Sequence, residues 1–183
     1  MYEDLLSLRQ ARDLYFERWG LDAGGYTSKW VTLAKVGPLR LGFPNTPARI
    51  RAVKMHDLHH VATEYNADWV GEAEIGAWEI GASCHLHHAA WILNLMALLY
   101  GVFLSPSRVL AAFARGRKSE TLYRSRELDE KLLDETVGEL RTSLVLDTTP
   151  SKPGALDALL LGVWWLVGLA LVGFPVAAFA TLI

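Results

Sequence analysis

Residues 47–72 read PARIRAVKMHDLHHVATEYNADWVGE, and this stretch decides the fold class. Thr46 is placed to cap a helix that has Pro47 at its first position, where the missing N–H costs nothing. The helix is expected over 48–65, a turn over Asn66-Ala67-Asp68, and a second helix from Trp69 to about His88 with Asp68 as its cap. On the first helix His56 and His60 are one turn apart and share a face, with Asp57 about 100° around from His56. Glu72 follows His60 by twelve positions, enough for a turn and one helical turn back alongside. Two imidazoles with one or two carboxylates suit one divalent metal, Zn²⁺ or Fe²⁺, better than the all-oxygen sets that hold Ca²⁺. Glu64, one turn beyond His60, is a candidate ligand, outer partner or proton carrier. His59 points away from the pair and reads as a surface residue. His85, His87 and His88 form a second cluster, readable as another metal site or as packing.

Outward from this core the pattern stays helical. Residues 3–19 carry Leu5, Leu8, Leu14, Tyr15 and Trp19 roughly on one side, and Gly20 ends the run. Between Trp30 and Phe43 the alternation around Gly37-Pro38 suggests a short β-hairpin. The helix after Asp68 is rich in glycine and alanine, which allows close approach of another helix or of a ligand. Ala89 to Leu104 is free of charge but short for a bilayer, so it suits a buried helix or one wall of an apolar channel. Arg108, Arg115, Arg117, Lys118, Arg124 and Arg126 then form a basic cluster, a candidate face for anionic headgroups or a phosphorylated ligand. Residues 127–146 read as an acidic amphipathic helix with Leu128, Leu132, Val137, Leu140 and Leu144 inward.

The expected organisation is therefore all-α: a helical metal-binding domain over 1–150, a linker over 151–157, and a C-terminal transmembrane helix over 158–183. That last segment carries no charge and is long enough to cross a hydrocarbon core of about 30 Å. The start, Met1-Tyr2-Glu3-Asp4, is acidic and unlike a secretory signal, which places the domain on the cytoplasmic face of a tail anchor. The chain has 183 residues, 51% of them hydrophobic, and a mean hydropathy of +0.18, with the excess concentrated in the two apolar segments. Its net charge of −2 gives no reason to expect nucleic acid as a partner. Cys84 is the single cysteine, so no internal disulfide and no cysteine-based zinc site is available. The acidic helix is as compatible with a homodimer as with a monomer.

Three metal patterns compete with the one that fits. The zinc-protease signature needs glutamate where Asp57 stands, one methylene longer. A phosphohydrolase of the His-Asp type needs a further histidine upstream, and none precedes His56. Membrane di-iron hydroxylases and desaturases resemble the chain through His56-x-x-His59-His60 and His85-x-His87-His88, but they are built on more histidines and more spans.

The order His56-Asp57-x-x-His60, eleven residues, then Glu72, resembles the metal motif of the coenzyme Q biosynthesis protein four family. The likeness extends through Gly71-Glu72-Ala73-Glu74-Ile75 and covers about residues 45–145. It implies a helical, membrane-associated protein of ubiquinone assembly whose four motif residues hold a divalent metal beside a channel for a polyprenyl tail. The implied reaction replaces the ring carboxyl at C1 of a polyprenylated quinone precursor by a hydroxyl. The implied alternative is a lipid-binding scaffold for other quinone-biosynthesis enzymes. The C-terminal span, His59 and the His85–His88 cluster are additions to the family pattern.

Overall fold

The computed structural model describes residues 2–21, 25–36, 39–124, 128–146 and 152–174, and the fold is all-α with one β-ribbon. Helix α1 spans Leu8–Trp19. It begins later than the periodicity suggests because Ser7 takes the cap, its hydroxyl accepting from the Gln10 N–H while Gln10 answers to the Ser7 backbone. Gly20, at φ 62°, ends it in the left-handed region. Leu8, Ala11 and Tyr15 are its buried residues; Leu5 lies before the helix and is exposed, as is Leu14. Strands β1 (Trp30–Val36) and β2 (Leu39–Pro44) pair antiparallel, Val36 opposite Leu39, with an irregularity between Thr32 and Ala34. The expected Gly37-Pro38 turn lies outside the described residues.

Helices α2 (Pro47–Thr63) and α3 (Trp69–Ala82) form the pair the sequence announces, capped by Thr46 and Asp68. The second ends six residues short of His88, because Ser83 and His85 both take positive φ and turn the chain around buried Cys84. Helices α4 (His88–Leu104) and α5 (Pro106–Gly116) both pack on α3. The small residues of α3 serve this packing: a Cβ on Gly76 would sit 3.2 Å from that of Ala97, and one on Gly81 only 2.5 Å from the Phe113 carbonyl.

A 3₁₀ turn at Leu122–Arg124 leads to α6 (Glu130–Asp134) and α7 (Val137–Ser143). The expected single helix over 127–146 is broken in two. Thr136 and Glu139 form a capping box, and the Val137 N–H bonds the Leu6 carbonyl instead of continuing a helix. The inward stripe survives the break, with Leu132, Val137, Leu140 and Leu144 buried.

Arg141 of α7 ties the chain start to the end of α2. Its guanidinium donates to the carbonyls of Ala62 and Tyr2 at 3.1 Å, and to Asp4 Oδ1 at 2.6 Å and Glu64 Oε1 at 2.7 Å. A lysine cannot reproduce that fork. Arg141→Lys is expected to lower stability by about 1.5–3 kcal/mol, the range for hydrogen bonds to charged groups. A denaturant midpoint within error of wild type would refute this.

Helix α8 (Ala155–Gly168) continues through a π-helical turn at Leu169–Gly173. It starts inside the stretch read as linker. Its 19 residues, at a mean hydropathy of 2.1, span about 28 Å at 1.5 Å per residue. This helix is long and apolar enough to cross a membrane. It also packs on α4: the Trp164 ring stacks on Trp91 at 4.8 Å, and the Trp165 indole donates to the Leu99 carbonyl at 3.3 Å. Leu159, Val163, Leu166 and Leu171 on its other side are exposed. Residues 175–183, the end of the expected transmembrane helix, lie outside those described.

The basic cluster is mostly turned to internal use. Arg108 forks onto Glu74, Arg117 pairs with Asp157 at the base of α8, Arg124 pairs with Glu120, and Arg115 donates to the Thr63 carbonyl. Arg126 lies outside the described residues.

Candidate metal centre

Two reversals bring the ligands together. Helix α2 ends on Glu64, whose φ of 65° swings the chain back so that the Tyr65 carbonyl accepts from His60 Nδ1 at 2.9 Å. Asp68 then caps α3, accepting from the N–H groups of Val70 at 3.1 Å and Gly71 at 2.8 Å. The turn closes so tightly that a Cβ on Gly71 would lie 2.0 Å from the Asn66 carbonyl oxygen. Glu72, next in the first turn, is thereby delivered to α2. Its position also favours a carboxylate, since the helix N-terminus carries partial positive charge.

Donor atoms of His56, His60 and Glu72 lie within 4.8 Å of one another. The two Nε2 atoms are 3.1 Å apart; Glu72 Oε2 is 3.4 Å from that of His56 and Oε1 is 3.3 Å from that of His60. The other ring nitrogens fix the tautomers. His60 Nδ1 must donate to a carbonyl, and His56 Nδ1 donates to the Glu79 carboxylate at 2.9 Å. With both protons on Nδ1, two lone pairs face each other and need a cation or a shared proton between them. Metal–nitrogen bonds of about 2.0–2.1 Å put two coordinating nitrogens about 3.0–3.4 Å apart, so the donor set fits a bound metal. His56, His60 and Glu72 form a cluster able to hold a metal ion.

The same groups are coupled electrostatically. Burial opposes a charge on His56, but the carboxylates of Glu79 and Glu72 outweigh it and hold its pKa above the ordinary value. Burial likewise opposes the charge on Glu72, yet His56 and His60 keep it well below the usual carboxylate range. Tyr15 of α1 stacks on His60 at 5.3 Å and closes that side.

The remaining sequence candidates separate. Asp57 does not join the group; it is buried beside it, and its Oδ2 accepts a hydrogen bond from the Tyr26 hydroxyl. Burial pushes its pKa up despite His56 and that hydrogen bond. Glu64 is taken by the Tyr2 N–H and Arg141, so it braces the N-terminus rather than the ligands. His59, expected to point away, is wholly buried: its Nδ1 donates to Glu79 at 2.7 Å and its Nε2 accepts from the Leu122 N–H at 3.0 Å. His85, His87 and His88 form no second group; among the described residues there is one such cluster.

Glu79 is the residue that sequence reasoning missed. It stands seven positions after Glu72, two turns along the same face, and is the lone charge within Ile75-Gly76-Ala77-Trp78-Glu79-Ile80. A carboxylate inside an apolar helical run is the signal that marks it.

The cluster opens into a cavity of about 890 Å³. Helix α4 lines it with Leu93, Met96, Ala97 and Tyr100, while the opposite side of that helix carries the α8 contacts at Trp91, Leu95 and Leu99. Comparison with family models, with curated proteins and with solved structures finds no match to this chain.

Proposed function

We propose that this protein is a metal-dependent enzyme that acts at the membrane on a polyprenylated aromatic ring, a quinone precursor. The candidate reaction releases the ring carboxyl at C1 as CO2 and puts a hydroxyl in its place, its oxygen coming from water and two electrons passing to an external oxidant. One observation carries the reading: a His/Glu cluster borders a large cavity, and α4, which lines that cavity, packs by its other side on the helix long and apolar enough to cross a membrane. An amphiphile with a polar head and an apolar tail matches that distribution.

In this reading His56, His60 and Glu72 hold a divalent metal, Zn²⁺ or Fe²⁺, and Asp57, the fourth residue of the motif, stands beside them on the Tyr26 hydroxyl. The metal, when bound, supplies Lewis acidity toward the head group. Met96, Ala97 and Tyr100 bound the cavity against which the tail would lie, and Trp69, in edge contact with Tyr100 at 5.4 Å, stands at its margin. The domain faces the cytoplasm, and other quinone-biosynthesis enzymes are its partners.

The test is turnover of a prenylated hydroxybenzoate by detergent-purified protein, before and after chelation. Conversion is expected to fall to background on chelation and to return with one divalent metal per chain. Metal-loaded protein that binds the prenylated ring but never converts it would overturn the enzyme reading in favour of a lipid-presenting scaffold.

A further inference from the structure

We infer that Glu79 is the positioning residue of this centre: a buried carboxylate that fixes His56 to ligate through Nε2 and whose charge, with that of Glu72, matches a divalent cation. The inference rests on the metal reading above. Glu79 has no solvent exposure and accepts from four donors: His56 Nδ1 at 2.9 Å and His59 Nδ1 at 2.7 Å on Oε1, and Asn94 Nδ2 at 2.5 Å and the Tyr123 hydroxyl at 3.0 Å on Oε2. Four donors fill the acceptor sites of a carboxylate and leave none for a proton.

One of these donors, His59, is itself held from behind. The Leu122 N–H bonds His59 Nε2, so that ring has only Nδ1–H to offer. The neighbouring rings leave His59 little freedom to flip: Trp78 lies edge-on at 5.2 Å and Tyr123 at 5.0 Å. Elements from four parts of the chain therefore converge on one anion: α2, α3, α4 and the 3₁₀ turn. Such an arrangement is costly for structure alone, since buried charge is strongly unfavourable unless compensated, and the one proton that the facing Nε2 atoms can share offsets one carboxylate, not two. A divalent cation one imidazole away balances both Glu72 and Glu79, which accounts for a wholly buried glutamate in an apolar helix. Outer partners of this kind raise the basicity of the ligand and hold its orientation.

The experiment compares wild type, Glu79→Gln, Glu79→Asp and Tyr123→Phe, with Glu72→Gln as the ligand-loss reference. Zinc and cobalt affinities come from competition titration, folding from circular dichroism, and the ligating nitrogens from nitrogen–cadmium couplings in histidine-labelled, cadmium-loaded protein. Glu79→Gln is expected to lower metal affinity about 10–100-fold with helicity retained, the usual cost of losing an outer partner. Glu79→Asp recovers part of that loss, and Tyr123→Phe gives a smaller loss in the same direction. Wild type shows couplings to Nε2 of His56 and His60, with His56 Nδ1–H protonated. Glu79→Gln binding as tightly as wild type, or cadmium coupled to His56 Nδ1, overturns the role of Glu79 while the metal site stands. Wild type that binds no metal, like Glu72→Gln, overturns both. Should Glu79→Gln fail to fold, the wild-type couplings and Tyr123→Phe decide the matter.

Discussion

Glu72→Gln and His60→Ala are each expected to cost more metal affinity than the roughly 10–100-fold loss typical of an outer partner, because each removes a donor atom itself. The two variants remove it differently. His60 is buried under Tyr15, so its truncation also empties ring volume and lowers stability by about 3 kcal/mol or more, as for other buried rings. Glu72 has a side chain 38% exposed and is the cleaner variant: its replacement keeps shape and takes away only charge and one oxygen. Metal content by elemental mass spectrometry should fall from about one per chain to background in both, with helicity kept in Glu72→Gln. Full stoichiometry in Glu72→Gln would remove it from the ligand set and leave His56 with its hydrogen bond to Glu79.

What the sequence discloses and what it hides divide along physical lines. Periodicity and caps locate α2 and the start of α3, because Thr46, Pro47 and Asp68 are local signals whose partners lie two or three residues away. The ligands His56, His60 and Glu72 follow from helical spacing plus one turn. His59 is misread because spacing along one helix tells which side a residue faces but not whether a neighbouring element covers that side. Here Leu122 and Tyr123, more than sixty positions away, cover it. Glu79 escapes for the same reason: its four donors come from three other elements. The amphipathic stretch 127–146 reads correctly as to its buried face and wrongly as to its continuity, since the break is set by a capping box and by pairing with residues at the chain start. The basic cluster is visible in the sequence, as is Glu120 four residues before Arg124, but the pairing of Arg108 and Arg117 is decided by Glu74 and Asp157, which reach them only in the fold.

At the crossing of α3 and α5, intrinsic propensity and packing make opposite demands, and substitution of Gly116 separates them. Exchanging a helical glycine for alanine should stabilise by about 1 kcal/mol if propensity rules. A Cβ at Gly116, however, would lie 2.1 Å from the Trp78 carbonyl oxygen and 2.9 Å from its carbon, and backbone cannot rotate away as a side chain can. The contact is reciprocal, since Gly81 meets the Phe113 carbonyl and the Arg117 nitrogen of the opposing segment. Overpacking typically costs 1–3 kcal/mol, so Gly116→Ala is expected to lose about 1 kcal/mol net. Gly116→Leu is expected not to fold, because it asks the helices to separate by more than a methyl group within a total stability of only about 5–15 kcal/mol. The disturbance should also reach the metal centre, because Trp78 is fully buried and its ring packs on His59. Gly162 of α8 supplies the control: nothing lies within 4 Å of its added Cβ, so alanine there should be neutral or stabilising. Denaturant midpoints followed by tryptophan fluorescence measure both. A Gly116→Ala midpoint above wild type would mean that α3 and α5 do not cross this closely. The small-residue run of α3 would then be free to form the wall of a ligand groove.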